Sequence, residues 1–88
     1  MTSTAQMLAA EHEGRTVLTA ELVCKTYFAP MSYTVFLRKL KLGEIDLVVT
    51  RMGRSQKAPR LVHVEDLARY IDSRRKVAER ELKAMRSA

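Results

Sequence analysis

S-Y-T-V-F-L-R-K-L-K-L-G-E-I-D-L-V-V-T-R-M-G-R-S-Q-K-A-P-R, residues Ser32 to Arg60, changes pattern three times. Ser32 has the chemistry of a helix N-cap, and Tyr33 to about Leu42 follow with helical spacing. Phe36, Leu40 and part of Leu37 share one face, and Gly43 ends the helix. Ile45 to Thr50 is β-branched and apolar, which predicts a strand. Arg51 to Pro59 has turn chemistry and charge, so it reads as a loop, and Leu61-Val62-His63 return as a second strand. The stretch is therefore a short helix followed by a β-hairpin. It carries seven bases (Arg38, Lys39, Lys41, Arg51, Arg54, Lys57, Arg60) against two acids (Glu44, Asp46). That is nearly all of the formal net charge of +6. Positive charge gathered on one unit favours a polyanionic partner.

Upstream, Ser3-Thr4-Ala5-Gln6 matches a capping box, which predicts a helix from about Thr4 to His12. Gly14 is placed to end it in the left-handed region. Thr16-Val17-Leu18 reads as a short extended entry segment. Thr19 is the next N-cap, with Glu21 in the first turn and Leu18 and Val23 as a hydrophobic staple. Its helix runs to about Phe28 with Leu22, Val23, Tyr27 and Phe28 as apolar residues, and Ala29-Pro30-Met31 stops it. Met31 and Phe36 then staple the helix after Ser32.

Downstream, the longest helix is expected from Val64 to about Met85. His63 is its cap, and Glu65 and Asp66 suit the first turn. Leu67, Tyr70, Ile71 and Val77 can face the domain. Glu65/Arg69, Asp72/Lys76 and Glu79/Lys83 are acid-then-base pairs at i, i+4. Beyond Arg74 the helix is mostly charged, with Val77, Ala78, Leu82 and Met85 as a thin apolar seam.

Eighty-eight residues make one domain with a small core. Its parts are an N-terminal helix (1–15), a pair of helices (19–43), a hairpin (44–63) and a C-terminal helix (64–86). No apolar run approaches the roughly 20 residues that span a membrane, and no signal-peptide pattern opens the chain. A single cysteine, Cys24, forbids an internal disulfide and fits a reducing cytoplasm.

Two helices joined by a tight turn, the second basic on its open side, followed by a hairpin, make a winged helix-turn-helix. The expected fold class is mainly α with a small β-hairpin, with a helix added at each end. A helix of this length fits the major groove of double-stranded DNA. Tyr33, Thr34 and Arg38 are placed on its outward arc. Arg38 can pair bidentately with guanine, Thr34 can bond a base or touch a thymine methyl, and Tyr33 can bond a phosphate. Lys39 and Lys41 are nearer the backbone. Arg54, Gln56 and Lys57 of the wing can enter a minor groove, and Arg51 and Arg60 complete the DNA-contacting set. Solvated surface charge on a basic domain is the plain alternative.

L-T-A-E-L-V-C-K-T-Y-F (18–28), F-L-R-K-L-K-L-G-E-I (36–45), S-Q-K (55–57) and H-V-E-D-L-A-R-Y-I-D-S-R-R (63–75) resemble, in that order, the pyocin activator protein family, PrtN. The chain departs from the family's pattern at Asp46, where a proline is expected. More loosely, the arrangement is similar to MerR/excisionase winged helices. The resemblance implies a transcription activator of prophage or bacteriocin genes acting on promoter DNA in the cytoplasm, at the nucleoid, with RNA polymerase as a further partner. Two alternatives stay open: an excisionase-type DNA-bending recombination factor, and an interaction module for an acidic protein.

Other residues point to no chemistry. Cys24 lies on the apolar side of its helix and reads as a core residue. His12, His63 and Cys24 lack ligand spacing, so no metal is expected. Adjacent Glu65 and Asp66 do not face each other on a helix and make a poor acid/base pair. With no phosphate cradle or nucleophile elbow, the chain reads as no enzyme and needs no cofactor. Met7, Leu8, Val77, Leu82 and Met85 are left as a surface for a homodimer, because promoter recognition generally uses two half-sites.

Overall fold

The structure, a computed structural model, describes residues 3–55 and 57–87. It is mainly helical with a small antiparallel sheet. The elements run α1 (Thr4–Glu11), β1 (Val17–Thr19), α2 (Ala20–Tyr27), α3 (Tyr33–Lys41), β2 (Thr50–Arg51), β3 (Arg60–His63) and α4 (Val64–Ser87).

Side-chain caps set the starts of the helices. Ser3 and Gln6 form the reciprocal capping box, with Ser3 Oγ accepting from Gln6 N–H at 3.1 Å and Gln6 Oε1 from Ser3 N–H at 2.9 Å. Thr19 Oγ1 accepts from Leu22 N–H at 3.1 Å, and Ser32 Oγ from Val35 N–H at 3.2 Å. At the head of α4, His63 Nδ1 accepts from Glu65 N–H at 3.0 Å. Each satisfies an amide that the first turn cannot. Gly43 ends α3 at φ of +78°, which costs glycine no Cβ clash. After α1 the first left-handed residue is Glu13, at φ of +60°, one residue before the expected Gly14, which follows at φ of +80° and donates its N–H to the Ala9 carbonyl at 2.7 Å.

The sheet has three strands, ordered β1-β3-β2, not the two expected. Val17-Leu18-Thr19 is a true strand, with Leu18 opposite Val62 and both side chains buried. The extended entry segment is thus half of the sheet's central pairing. The expected strand over Ile45–Thr50 is mostly not one: only Thr50 and Arg51 ladder with Leu61 and Arg60. Residues 45–49 still alternate in burial, with Ile45 and Leu47 inside and Asp46 and Val48 outside. Among the described residues no strand ladders with 45–49.

The core joins every layer. Leu18, Val23, Phe36, Val62 and Leu67 are its largest fully enclosed side chains. Phe28 packs between Phe36 and Tyr70, at ring-centroid distances of 4.9 and 5.6 Å. Leu22, Leu40 and Ile71 are half-buried around this centre. Cys24 is buried as expected, its thiol donating to the Met31 carbonyl at 3.4 Å, and burial pushes that thiol's pKa up.

α1 docks on α4. Leu8 is 6% exposed, so it is spent inside the protomer and cannot serve the homodimer surface expected of it. Thr4 Oγ1 donates to Asp72 Oδ1 at 2.8 Å, and His12 Nε2 lies 2.9 Å from the Tyr27 hydroxyl. These polar contacts tie the two ends of α1 to α4 and α2. Tyr27's pKa is raised by burial first and by the nearby Glu11 carboxylate second. The expected i, i+4 pairs give way to others: among the described residues the ion pairs on α4 are Arg69–Asp66 at 3.5 Å and Arg75–Glu79 at 3.4 Å. Asp72 is taken by Thr4 instead.

Candidate functional site

Two short segments meet beside α3. The helix contributes Leu37, Arg38, Leu40 and Lys41, the 45–49 run contributes Leu47 and Val49, and the hairpin contributes Arg51 and Arg60. Together they enclose an open cleft of about 690 Å³. Its floor is apolar (Leu37, Leu40, Leu47, Val49) and its walls carry four cations (Arg38, Lys41, Arg51, Arg60).

Local sequence builds both walls. Buried Phe36 anchors α3 in the core and leaves the residues beside it, Leu37 and Arg38, at the edge of the cleft. Gly43 turns the chain back, with Glu44 N–H donating to the Lys39 carbonyl at 2.9 Å. The alternation through Ile45, Leu47 and Val49 then carries the backbone past α3 and into β2. On the other wall the register sets Arg51 opposite Arg60. The Met52 N–H donates to the Pro59 carbonyl at 3.1 Å, which extends the ladder into the loop. At the loop's tip Ser55 accepts from the Lys57 and Ala58 amides, at 3.1 and 3.0 Å.

The electrostatics are one-sided. Among the described residues, no carboxylate comes within ion-pair distance of Arg38, Lys41, Arg51, Arg54, Lys57 or Arg60. Arg38, Lys39 and Lys41 do have a structural role, since cations in the last turn oppose the negative end of the helix dipole. Arg51 and Arg60 have none of that kind. Like charges directly opposite on paired strands destabilise the pair. Two arginines there lower the hairpin's stability unless an anion lies between them.

The cleft therefore brings together four of the expected contact residues and leaves the others apart. Tyr33 is half-buried and stacked on Phe36 at 6.3 Å, so it faces the core more than the outward arc predicts. Thr34 is exposed on α3, and Lys39 is half-buried, both outside the cleft lining. Arg54 and Lys57 are exposed on the hairpin loop, and Gln56 lies outside the described residues. Of the apolar floor, Leu37, Leu47 and Val49 were not anticipated as site residues. For Leu47 and Val49 the apolar residues at alternate places in Ile45-Asp46-Leu47-Val48-Val49 are the available signal, and Leu37 follows from its place on α3 beside Arg38. Among the described residues no group of three or more His, Cys, Asp or Glu side chains could hold a metal ion, and no helix is long and apolar enough to cross a membrane.

A family model described as pyocin activator protein PrtN matches residues 4–78, from the start of α1 into the exposed half of α4. That description is of a regulatory activator, not of a catalyst. No curated protein and no solved structure matches the chain.

Proposed function

The chain belongs to the pyocin activator protein PrtN family, and from that premise we propose that it is a sequence-specific DNA-binding activator of bacteriocin or prophage genes, built as a winged helix-turn-helix. In this reading α2 and α3 are the helix pair and α3 enters the major groove. Thr34 and Arg38 meet base edges, Arg38 by a bidentate pair with guanine. The phosphate strand beside that groove runs through the cleft, held by Lys41, Arg51 and Arg60. Arg54 and Lys57 on the loop reach the next minor groove, where arginine senses groove width. RNA polymerase is the partner that an activator then engages.

The observation that supports this most is the facing pair Arg51 and Arg60, unopposed by any acid among the described residues. A surface of merely solvated charge has no reason to oppose two guanidiniums on one rung. An anionic strand between them turns a repulsive pair into two charge-assisted contacts. The experiment is genomic footprinting of the tagged protein in cells. Occupancy upstream of bacteriocin or prophage promoters is expected. Occupancy at a recombination attachment site with no promoter peaks would assign the architectural role instead. Absence of any DNA peak, together with capture of an acidic protein, would overturn the DNA reading.

A further inference from the structure

The inward stripe of α4 runs on beyond the domain that covers it. Val64 and Ala68 are buried and Ile71 is half-buried against the core. Their alternating four- and three-residue steps continue without a break as Arg75, Ala78, Leu82 and Met85. That second half is exposed, with Leu82 at 45% and Met85 at 71%. Strict alternation of four and three is the seam of a coiled coil, in which core positions meet a partner helix. We propose that the segment from Ser73 to the end of α4 pairs with the same segment of a second copy, running antiparallel.

The side chains select both occupant and direction. In a parallel pair every seam residue meets its own copy, so Arg75 would face Arg75 and small Ala78 would face Ala78. In the antiparallel pair Leu82 lies over the partner's Ala78, large against small, and Met85 lies over the partner's Arg75. Arg75 tolerates that place: its charged end is drawn aside to Glu79 at 3.4 Å, which leaves its aliphatic stem for the methionine. The flanking charges match as well. The antiparallel register sets Arg74 beside the partner's Glu81, and Glu79 beside the partner's Arg86. The same register aligns Ser73 with the partner's Ser87. The overlap is then about 15 residues, roughly 22 Å at the helical rise, and it begins just past Ile71, where the chain's own core stops covering α4. The two domains then lie at opposite ends of the pair.

The pairing is tested by sedimentation equilibrium on the full chain, without DNA, at about 20–100 µM, a range suited to a dissociation constant in the micromolar region. The wild type is expected to be a dimer. Leu82→Glu should weaken it by about tenfold or more, with helical circular dichroism and melting cooperativity retained, because Leu82 lies outside the core. Arg74→Glu and Glu81→Arg should each weaken the dimer, and the two together in one chain should restore it, since the antiparallel partners are then swapped as a pair. A monomeric wild type, or a dimer indifferent to Leu82→Glu, would overturn the proposal. So would a double charge reversal that stays weak, the result a parallel pair gives, because there Arg74 meets Glu79 and Glu81 meets Arg86.

Discussion

Arg51 and Arg60 stand directly opposite each other at the root of the β2–β3 hairpin, and both side chains line the cleft that α3 closes with Arg38 and Lys41. Like charges directly opposite on one rung destabilise a strand pair. Arg51→Thr keeps β-propensity and removes the repulsion. It is expected to raise the stability of the free protein by a few tenths of a kcal/mol and to weaken DNA binding. Chemical denaturation and fluorescence anisotropy measure the two effects on one sample. A variant that loses stability and binds DNA unchanged would assign the pair a structural role.

Arg38 is the cleft's link to α3. Arg38→Ala is expected to weaken a cognate promoter site by about 1–3 kcal/mol while sparing random DNA, because a base contact carries sequence information. Equal losses on both DNAs would make Arg38 a phosphate contact and move base reading elsewhere on the helix. Competition binding with scrambled duplex separates the cases.

Phe36 is fully enclosed and holds α3 to the core through Phe28. Phe36→Ala should cost about 3–5 kcal/mol, a large part of the stability of a domain this small. Urea melts followed by circular dichroism will show it. An unchanged midpoint would contradict the packing described.

The Cys24 thiol is buried, and its pKa is raised from 9.0 by desolvation. The unfolded chain then loses the proton more readily than the folded one, so stability falls as the pH climbs past about 9 and is unaffected well below it. Cys24→Ala should flatten that alkaline decline. A thiol-reactive dye should label Cys24 only on unfolding, and rapid labelling of the native protein would show the burial to be incomplete.

Much of this was legible in the chain because caps and terminators act locally. Ser3, Thr19 and Ser32 bond amides three residues away, and Gly43 needs only a positive φ. These fix the helices to within a residue or two. What was not legible depends on partners distant in sequence. Val17–Thr19 becomes a strand because Leu18 finds Val62. Ile45–Val49 has strand-forming residues, yet among the described residues no strand ladders with it, so β-propensity described its buried face but not its hydrogen bonds. Leu8 looked free until α1 docked on α4. The site divides the same way. Its bases were visible as a charge cluster, whereas the opposition of Arg51 and Arg60 depends on a register set across the 52–59 loop.

The central claim is that these cations meet DNA phosphates, and counterion release tests it most directly. Affinity for a promoter duplex is measured across a series of salt concentrations. With about five phosphates neutralised per protomer, the logarithm of affinity should fall against the logarithm of salt with a slope near −4 to −5. Arg51→Thr and Arg60→Thr should each reduce that slope by about 1. A wild-type slope near zero would contradict the account.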